Sequence, residues 1–211
     1  MNLPNKITLS RIFLVPLFMV FLIPIPGWIV DSVVFSFMRD QIIMYNSFVT
    51  TYGYIVAGII FIIASSTDAV DGYIARKHKL VTNLGKFLDP IADKLLVTAA
   101  LLALVQTGTI SSWTAMIIIG REFIVTGIRL VAVGEGIVIP ASNLGKIKTV
   151  TQMIAIIFAL LKDYPFNLIP GLSNFPVYRI AMGIALIMTV YSGWDYIKSN
   201  LGKIMENDKL K

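Results

Sequence analysis

The sequence predicts an all-α integral membrane protein: six transmembrane helices in a bundle, preceded by a short N-terminal interfacial helix, as one domain over residues 1–211. Three observations carry that expectation. The chain is 56% hydrophobic and only 14% charged, too few charges to hydrate the surface of a soluble domain. Its apolar stretches recur at close to the roughly 20 residues that a helix needs to cross a hydrocarbon layer. Its basic residues return in clusters that a six-span reading collects on one side of the bundle.

Met1 to Ser10 reads as the interfacial segment, with Asn2-Leu3-Pro4-Asn5 opening a helix that lies on the membrane surface. The first span follows at roughly 9–27. It does not read as a cleaved signal, because Pro24, Pro26 and Trp28 stand where a small-residue cleavage site would be. Residues 26–51 mix Asp31, Arg39 and Asp40 with apolar side chains and are expected to lie partly on the outer surface. The remaining spans are expected at roughly 53–76, 86–106, 111–132, 147–163 and 176–197. Each must be helical, since lipid offers the backbone no hydrogen-bond partners. Lys6 and Arg11, then Arg76, Lys77 and Lys79, then Lys146 and Lys148, then Lys198, Lys203, Lys209 and Lys211 fall on one side. The positive-inside rule makes that side the cytoplasm, with both termini inside a multi-pass cell-membrane protein. Trp28, Trp113 and Trp194 stand near span ends, as interfacial anchors do. No repeat, low-complexity tract or polar linker divides the chain.

The formal charge of +6 fits cytoplasmic loops on anionic lipid rather than nucleic acid, because no basic and aromatic binding module accompanies it. With no cysteine, disulfides and thiolate metal sites are excluded. His78 sits in a basic loop and reads as a solvated side chain.

The chemistry concentrates between Asp68 and Asp93. Asp68 and Asp71 are three residues apart, and Asp89 and Asp93 four apart, so each pair shares one face of a helix. A tight loop between antiparallel helices would bring the two pairs together. A lone aspartate near a helix end is usually a cap. Four held close would repel one another and rise in pKa unless a cation neutralised them. Hard oxygen donors without thiolates favour Mg²⁺ or Mn²⁺, and Mg²⁺ commonly joins one or two carboxylates to substrate phosphates. Gly72 leaves backbone open to close approach, and Arg76 suits a bidentate contact with phosphate. Pro90 disfavours a helical Asp89, which is expected to cap the third span or sit at a kink.

This run fits, position for position, the pattern D-x2-D-G-x2-A-R-x8-G-x3-D-x3-D, with Gly85 as its third-from-last fixed residue. It resembles the CDP-alcohol phosphotransferase family. The resemblance implies six membrane helices around a cytoplasm-facing polar cavity, a homodimer, and transfer of a phosphatidyl group from a CDP-linked lipid to a small alcohol. It implies Asp68, Asp71, Asp89 and Asp93 as ligands of two Mg²⁺ (or Mn²⁺) ions, with Asp93 also the catalytic base. It implies Gly72 and Arg76 as contacts of the CDP part, joined by Asn5, Thr8 and Thr82.

A second charged set, Arg121, Glu122 and Arg129 in the fourth span with Lys146 and Lys148 entering the fifth, addresses the acceptor. Glu122, Thr126 and Arg129 share a helical face, and Arg129 is expected to meet Lys146 near the cytoplasmic mouth. Alone, Lys146 and Lys148 would pass as headgroup contacts. Cations inside an apolar span suit an acceptor with its own phosphate. The expected acceptor-phosphate residues are Arg121, Arg129 and Lys146. The segments Arg121-Glu-Phe-Ile-Val-Thr-Gly-Ile-Arg-Leu130 and Asn143-Leu-Gly-Lys-Ile-Lys-Thr149, with the opening Asn2-Leu-Pro-Asn-Lys-Ile-Thr-Leu-Ser-Arg11, are similar to bacterial members of the family. That likeness implies CDP-diacylglycerol and sn-glycerol 3-phosphate as substrates. Inositol phosphate, serine or phosphatidylglycerol as acceptor is the related alternative. A cation transporter or a noncatalytic lipid-binding scaffold is the alternative of another class.

Overall fold

The computed structural model describes residues 3–77, 83–134, 139–140, 142–164, 166–169 and 175–208, with side chains for 8–67, 91–134, 139–140, 142–164, 166, 168–169 and 175–200. Among the described residues every regular element is helical. Helix α1 is Leu3–Leu22, α2 Gly27–Val30, α3 Arg39–Phe48, α4 Tyr54–Lys77, α5 Asn83–Gln106, α6 Ser112–Gly134, α7 Asn143–Leu160 and α8 Val177–Asp208. A 3-10 stretch, Val33–Met38, leads into α3, and a π-helical stretch, Val49–Gly53, joins α3 to α4. By length and composition, Val33–Thr67 and Val177–Asn200 are apolar enough to cross a membrane, and Thr8–Leu22 is a shorter apolar helix.

The helices overlap the expected spans, with α8 running past residue 197 to Asp208, and three further differences stand out. First, α1 runs unbroken from Leu3, through Pro16, to Leu22, with no break between an interfacial segment and a span. It stops short of residue 27 because Pro24 and Pro26 lack the N–H that continues a helix. Second, residues 26–51 are largely helical. Ser32 caps the 3-10 stretch by accepting from Val34 N at 3.3 Å, and Arg39 pairs with Asp31 at 3.1 Å, so Asp31, Ser32 and Arg39 are satisfied locally. Third, α5 starts at Asn83, which places Asp89 and Pro90 inside the helix rather than at its cap.

The chain packs as two compact units. The first, Met1–Thr109 with Leu160–Lys162, is built on α1, which packs along both α4 and α5. Its core sets Phe18, Phe61, Leu96, Leu101 and Leu104 among Ala57, Ala64, Ala92, Ala100 and Ala103; small residues let helices approach closely in lipid. Among the described side chains of α1 the buried positions are Thr8, Arg11, Val15, Phe18 and Leu22, the three-and-four spacing of a single helical face. The Phe18 and Phe61 rings lie 6.2 Å apart. The exit of α1 is pinned to α3, since Asn46 Nδ2 donates to Ile25 O at 2.9 Å and Asn46 Oδ1 accepts from Ile25 N at 2.8 Å. The Tyr45 hydroxyl donates to Val20 O.

At Gly53 the helices touch through backbone: a Cβ there would lie 2.1 Å from the Phe21 carbonyl oxygen. Backbone has no rotamer with which to retreat, so Gly53→Ala is expected to destabilise the protein by about 2–3 kcal/mol. Gly27→Ala, where a Cβ meets nothing within 4 Å, is expected to stay within about 0.5 kcal/mol of wild type. Thermal unfolding of both variants in detergent checks the pair.

In the second unit, Ile110–Ala159 with Asp163–Lys211, α6 packs on α8. The buried face of α8 reads Met182, Ala185, Thr189, Ser192 and Tyr196. Thr189 Oγ1 donates to Ala185 O at 2.6 Å and Ser192 Oγ to Thr189 O at 3.3 Å, so the hydroxyls are satisfied on their own helix. The buried face of α7 reads Lys148, Gln152, Ala155, Ile156 and Ala159.

Candidate active site

Asp68 and Asp71 belong to the C-terminal part of α4, and Asp89 and Asp93 to the N-terminal half of α5. Both helices lie in the first unit, and residues 78–82 connect them. Gly72 and Arg76 are on α4 and Asn5 is in the first turns of α1. The side chains of Asn5, Asp68, Asp71, Arg76 and Asp89 lie outside the described residues, as do Thr82 and His78 entirely. Asp93 is half-buried, and Thr8 is buried on the α1 face that also holds Phe18. The donor set fits a hard divalent cation: four carboxylates on two successive helices of one unit, in a chain without thiols. Among the described residues no group of three or more His, Cys, Asp or Glu side chains forms, and three of these four carboxylates stand outside them.

The second charged set is described in full. Lys148, 1% exposed, donates to Glu122 Oε1, joining α7 to α6. Arg121 Nη1 lies 3.5 Å from the same carboxylate oxygen, and its Nη2 donates to Ser192 Oγ on α8 at 3.1 Å. The side chain crosses Gly193, where a Cβ would stand 3.0 Å from Arg121 Cγ. Arg121 Nε is buried with no hydrogen-bond partner among the described residues. Two cations thus share one carboxylate, and a buried donor remains unused. A half-buried place with net positive charge and a spare N–H suits an anionic ligand.

Arg129 is exposed, with its guanidinium carbon 6.0 Å from the centre of the Tyr196 ring. Lys146 is also exposed. The sequence pattern points to Lys146, whereas the buried cation of α7 is Lys148. The missed signal is periodicity: Lys148 continues the stripe of Gln152, Ala155, Ile156 and Ala159, whereas Lys146 stands off it. Beside the charged set, α6 and α8 border a groove of about 330 Å³ whose lining includes Met116, Ile124, Arg121, Val190 and Trp194.

A family model described as CDP-alcohol phosphatidyltransferase matches residues 1–191. The CDP-diacylglycerol–glycerol-3-phosphate 3-phosphatidyltransferase of Bacillus subtilis is 48% identical over 199 residues, 94% of this chain and 95% of its own length. The protein of the same description from Rickettsia felis is 32% identical over 198 residues, 94% of each chain. A probable phosphatidylglycerophosphate synthase of Mycobacterium tuberculosis is 34% identical over 204 residues, 96% of this chain and 83% of its own. With the aspartate pattern on α4 and α5, and a match that runs through both units, the chain belongs to the CDP-alcohol phosphatidyltransferase family of phosphatidyl-transferring enzymes.

Proposed function

We propose that the protein is a phosphatidylglycerophosphate synthase, which moves the phosphatidyl group of CDP-diacylglycerol onto sn-glycerol 3-phosphate and releases CMP. The observation that carries this acceptor is the half-buried, net-positive set of Arg121, Glu122 and Lys148 with its unused Arg121 Nε donor. The acceptors named in the relatives' descriptions support it.

In this reading Asp68, Asp71, Asp89 and Asp93 hold Mg²⁺ or Mn²⁺, as two ions. When bound, the metal offsets the negative charge of the diphosphate and of the attacking and leaving oxygens. Asp93 takes the proton from the acceptor's hydroxyl as its oxygen attacks the phosphorus next to the lipid. Arg76 stabilises the charge that builds on the departing CMP, and Gly72 lets backbone come close to the nucleotide. Asn5, Thr8 and Thr82 complete the nucleotide contacts. Arg121, Arg129 and Lys146 hold the acceptor's phosphate, while Lys148 and Glu122 fix Arg121. The protein works as a six-span homodimer in the cell membrane, with its active site and both termini cytoplasmic, and with residues 1–211 as one catalytic domain.

Arg121→Met tests the acceptor assignment. The KM for glycerol 3-phosphate is expected to rise about 10-fold or more, with the KM for CDP-diacylglycerol changed less than about threefold. Equal changes in the two constants would contradict a role for Arg121 in reading the acceptor.

A further inference from the structure

The first unit buries a guanidinium that the proposed chemistry leaves unused. Arg11 is 1% exposed and heads the large, fully buried side chains of the described residues. A guanidinium does not lose its proton, so out of water it requires an anionic partner. The unit contains six acidic residues: Asp31, Asp40, Asp68, Asp71, Asp89 and Asp93. Asp31 is paired with Arg39, and Asp40 is exposed at the start of α3. Both follow the C-terminal end of α1, the end away from Arg11.

The register of α1 on α4 points to the other four. Near its C-terminus Phe21 of α1 meets Gly53; further back Phe18 meets Phe61. The two helices are therefore antiparallel. Arg11 stands seven residues before Phe18, and Asp68 seven after Phe61. Seven residues are about two turns and about 10 Å of rise, so positions 11 and 68 come level, each on the face of its helix that holds the paired phenylalanine. Position 68 continues the stripe of Ala57, Phe61 and Ala64, as Arg11 continues that of Val15 and Phe18.

We infer that Arg11 is a positioning residue: it is the fixed countercharge of the aspartate pairs, with position 68 of α4 level with it along the helix, and it holds them together while the metal is absent. The inference rests on the reading of those aspartates as a divalent-cation site. It gives Arg11 a role different from the orientation signal that its charge alone suggested. A fixed cation here has two opposite effects. It stabilises the empty site, and it repels the incoming metal.

The test is thermal unfolding of the full-length protein in detergent, in EDTA and through a Mg²⁺ titration, for wild type, Arg11→Met and Arg11→Lys. Arg11→Met is expected to melt several degrees below wild type in EDTA and to regain most of the loss at saturating Mg²⁺. Its half-saturating Mg²⁺ is expected to fall about threefold or more, because the metal no longer meets a fixed cation. Arg11→Lys, which keeps the charge, is expected to stay within about twofold of wild type. An equal loss of melting temperature with and without Mg²⁺, at an unchanged half-saturating concentration, would make Arg11 a packing residue and overturn the inference. A wild type with no Mg²⁺ response would instead overturn the metal reading beneath it. Should Arg11→Met yield no folded protein, it is combined in turn with Asp68→Asn, Asp71→Asn, Asp89→Asn and Asp93→Asn. At least one combination must restore monodisperse protein, and failure of all four overturns the inference.

Discussion

Asp93→Asn is expected to lower CMP release by about 10³-fold while leaving the protein folded, the scale on which a positioned general base contributes. The carboxamide is nearly isosteric with the carboxylate but cannot take the acceptor's proton. Asp93 is half-buried on α5, where Ala92 and Leu96 are core residues, so its backbone is held by packing and not by the reaction. The measurement is CMP release with CDP-diacylglycerol and glycerol 3-phosphate, beside the melting temperature. A variant that keeps more than about a tenth of wild-type turnover would place the base elsewhere.

The second large effect concerns stability. Glu122 is the shared partner of Lys148 and Arg121, so Glu122→Gln leaves two cations together without a carboxylate. A loss of about 3 kcal/mol is expected, as for buried pairs broken from one side. Lys148→Met should cost less, about 1–2 kcal/mol, because Arg121 still pairs with Glu122. The double variant Glu122→Gln with Lys148→Met should recover much of the first loss, since only Arg121 remains charged. Unfolding of the three variants gives the ordering. If Lys148→Met proved the most damaging, the packing of the lysine stem on α7 would outweigh its charge.

The positions of the helices were legible because long apolar stretches and prolines are local signals. The aspartate pattern was legible for the same reason, as eight fixed residues within 26. What the sequence reading assigned less well were cations. Arg11 and Lys148 were counted toward the charge bias between the two membrane sides, a sum that ignores which face of a helix a residue occupies. Both lie on buried stripes with three-and-four spacing: Thr8, Arg11, Val15 and Phe18 on α1, and Lys148, Gln152, Ala155 and Ala159 on α7. Residues 26–51 were harder for another reason. Asp31 pairs within a few turns with Arg39, and such local pairing leaves no trace in an average of hydropathy. The partnership of Arg121 with Ser192 joins residues far apart in sequence, and spacing along one helix carries no information about it.

The most direct test is CMP release by purified protein in detergent with CDP-diacylglycerol and Mg²⁺, offered glycerol 3-phosphate, inositol phosphate, serine or phosphatidylglycerol, with and without chelator. The account predicts release with glycerol 3-phosphate alone, in step with phosphatidylglycerophosphate formed, and its loss on chelation. Release with a different acceptor would contradict the reading of the Arg121 set, and no release with any acceptor from folded protein would contradict phosphatidyl transfer itself.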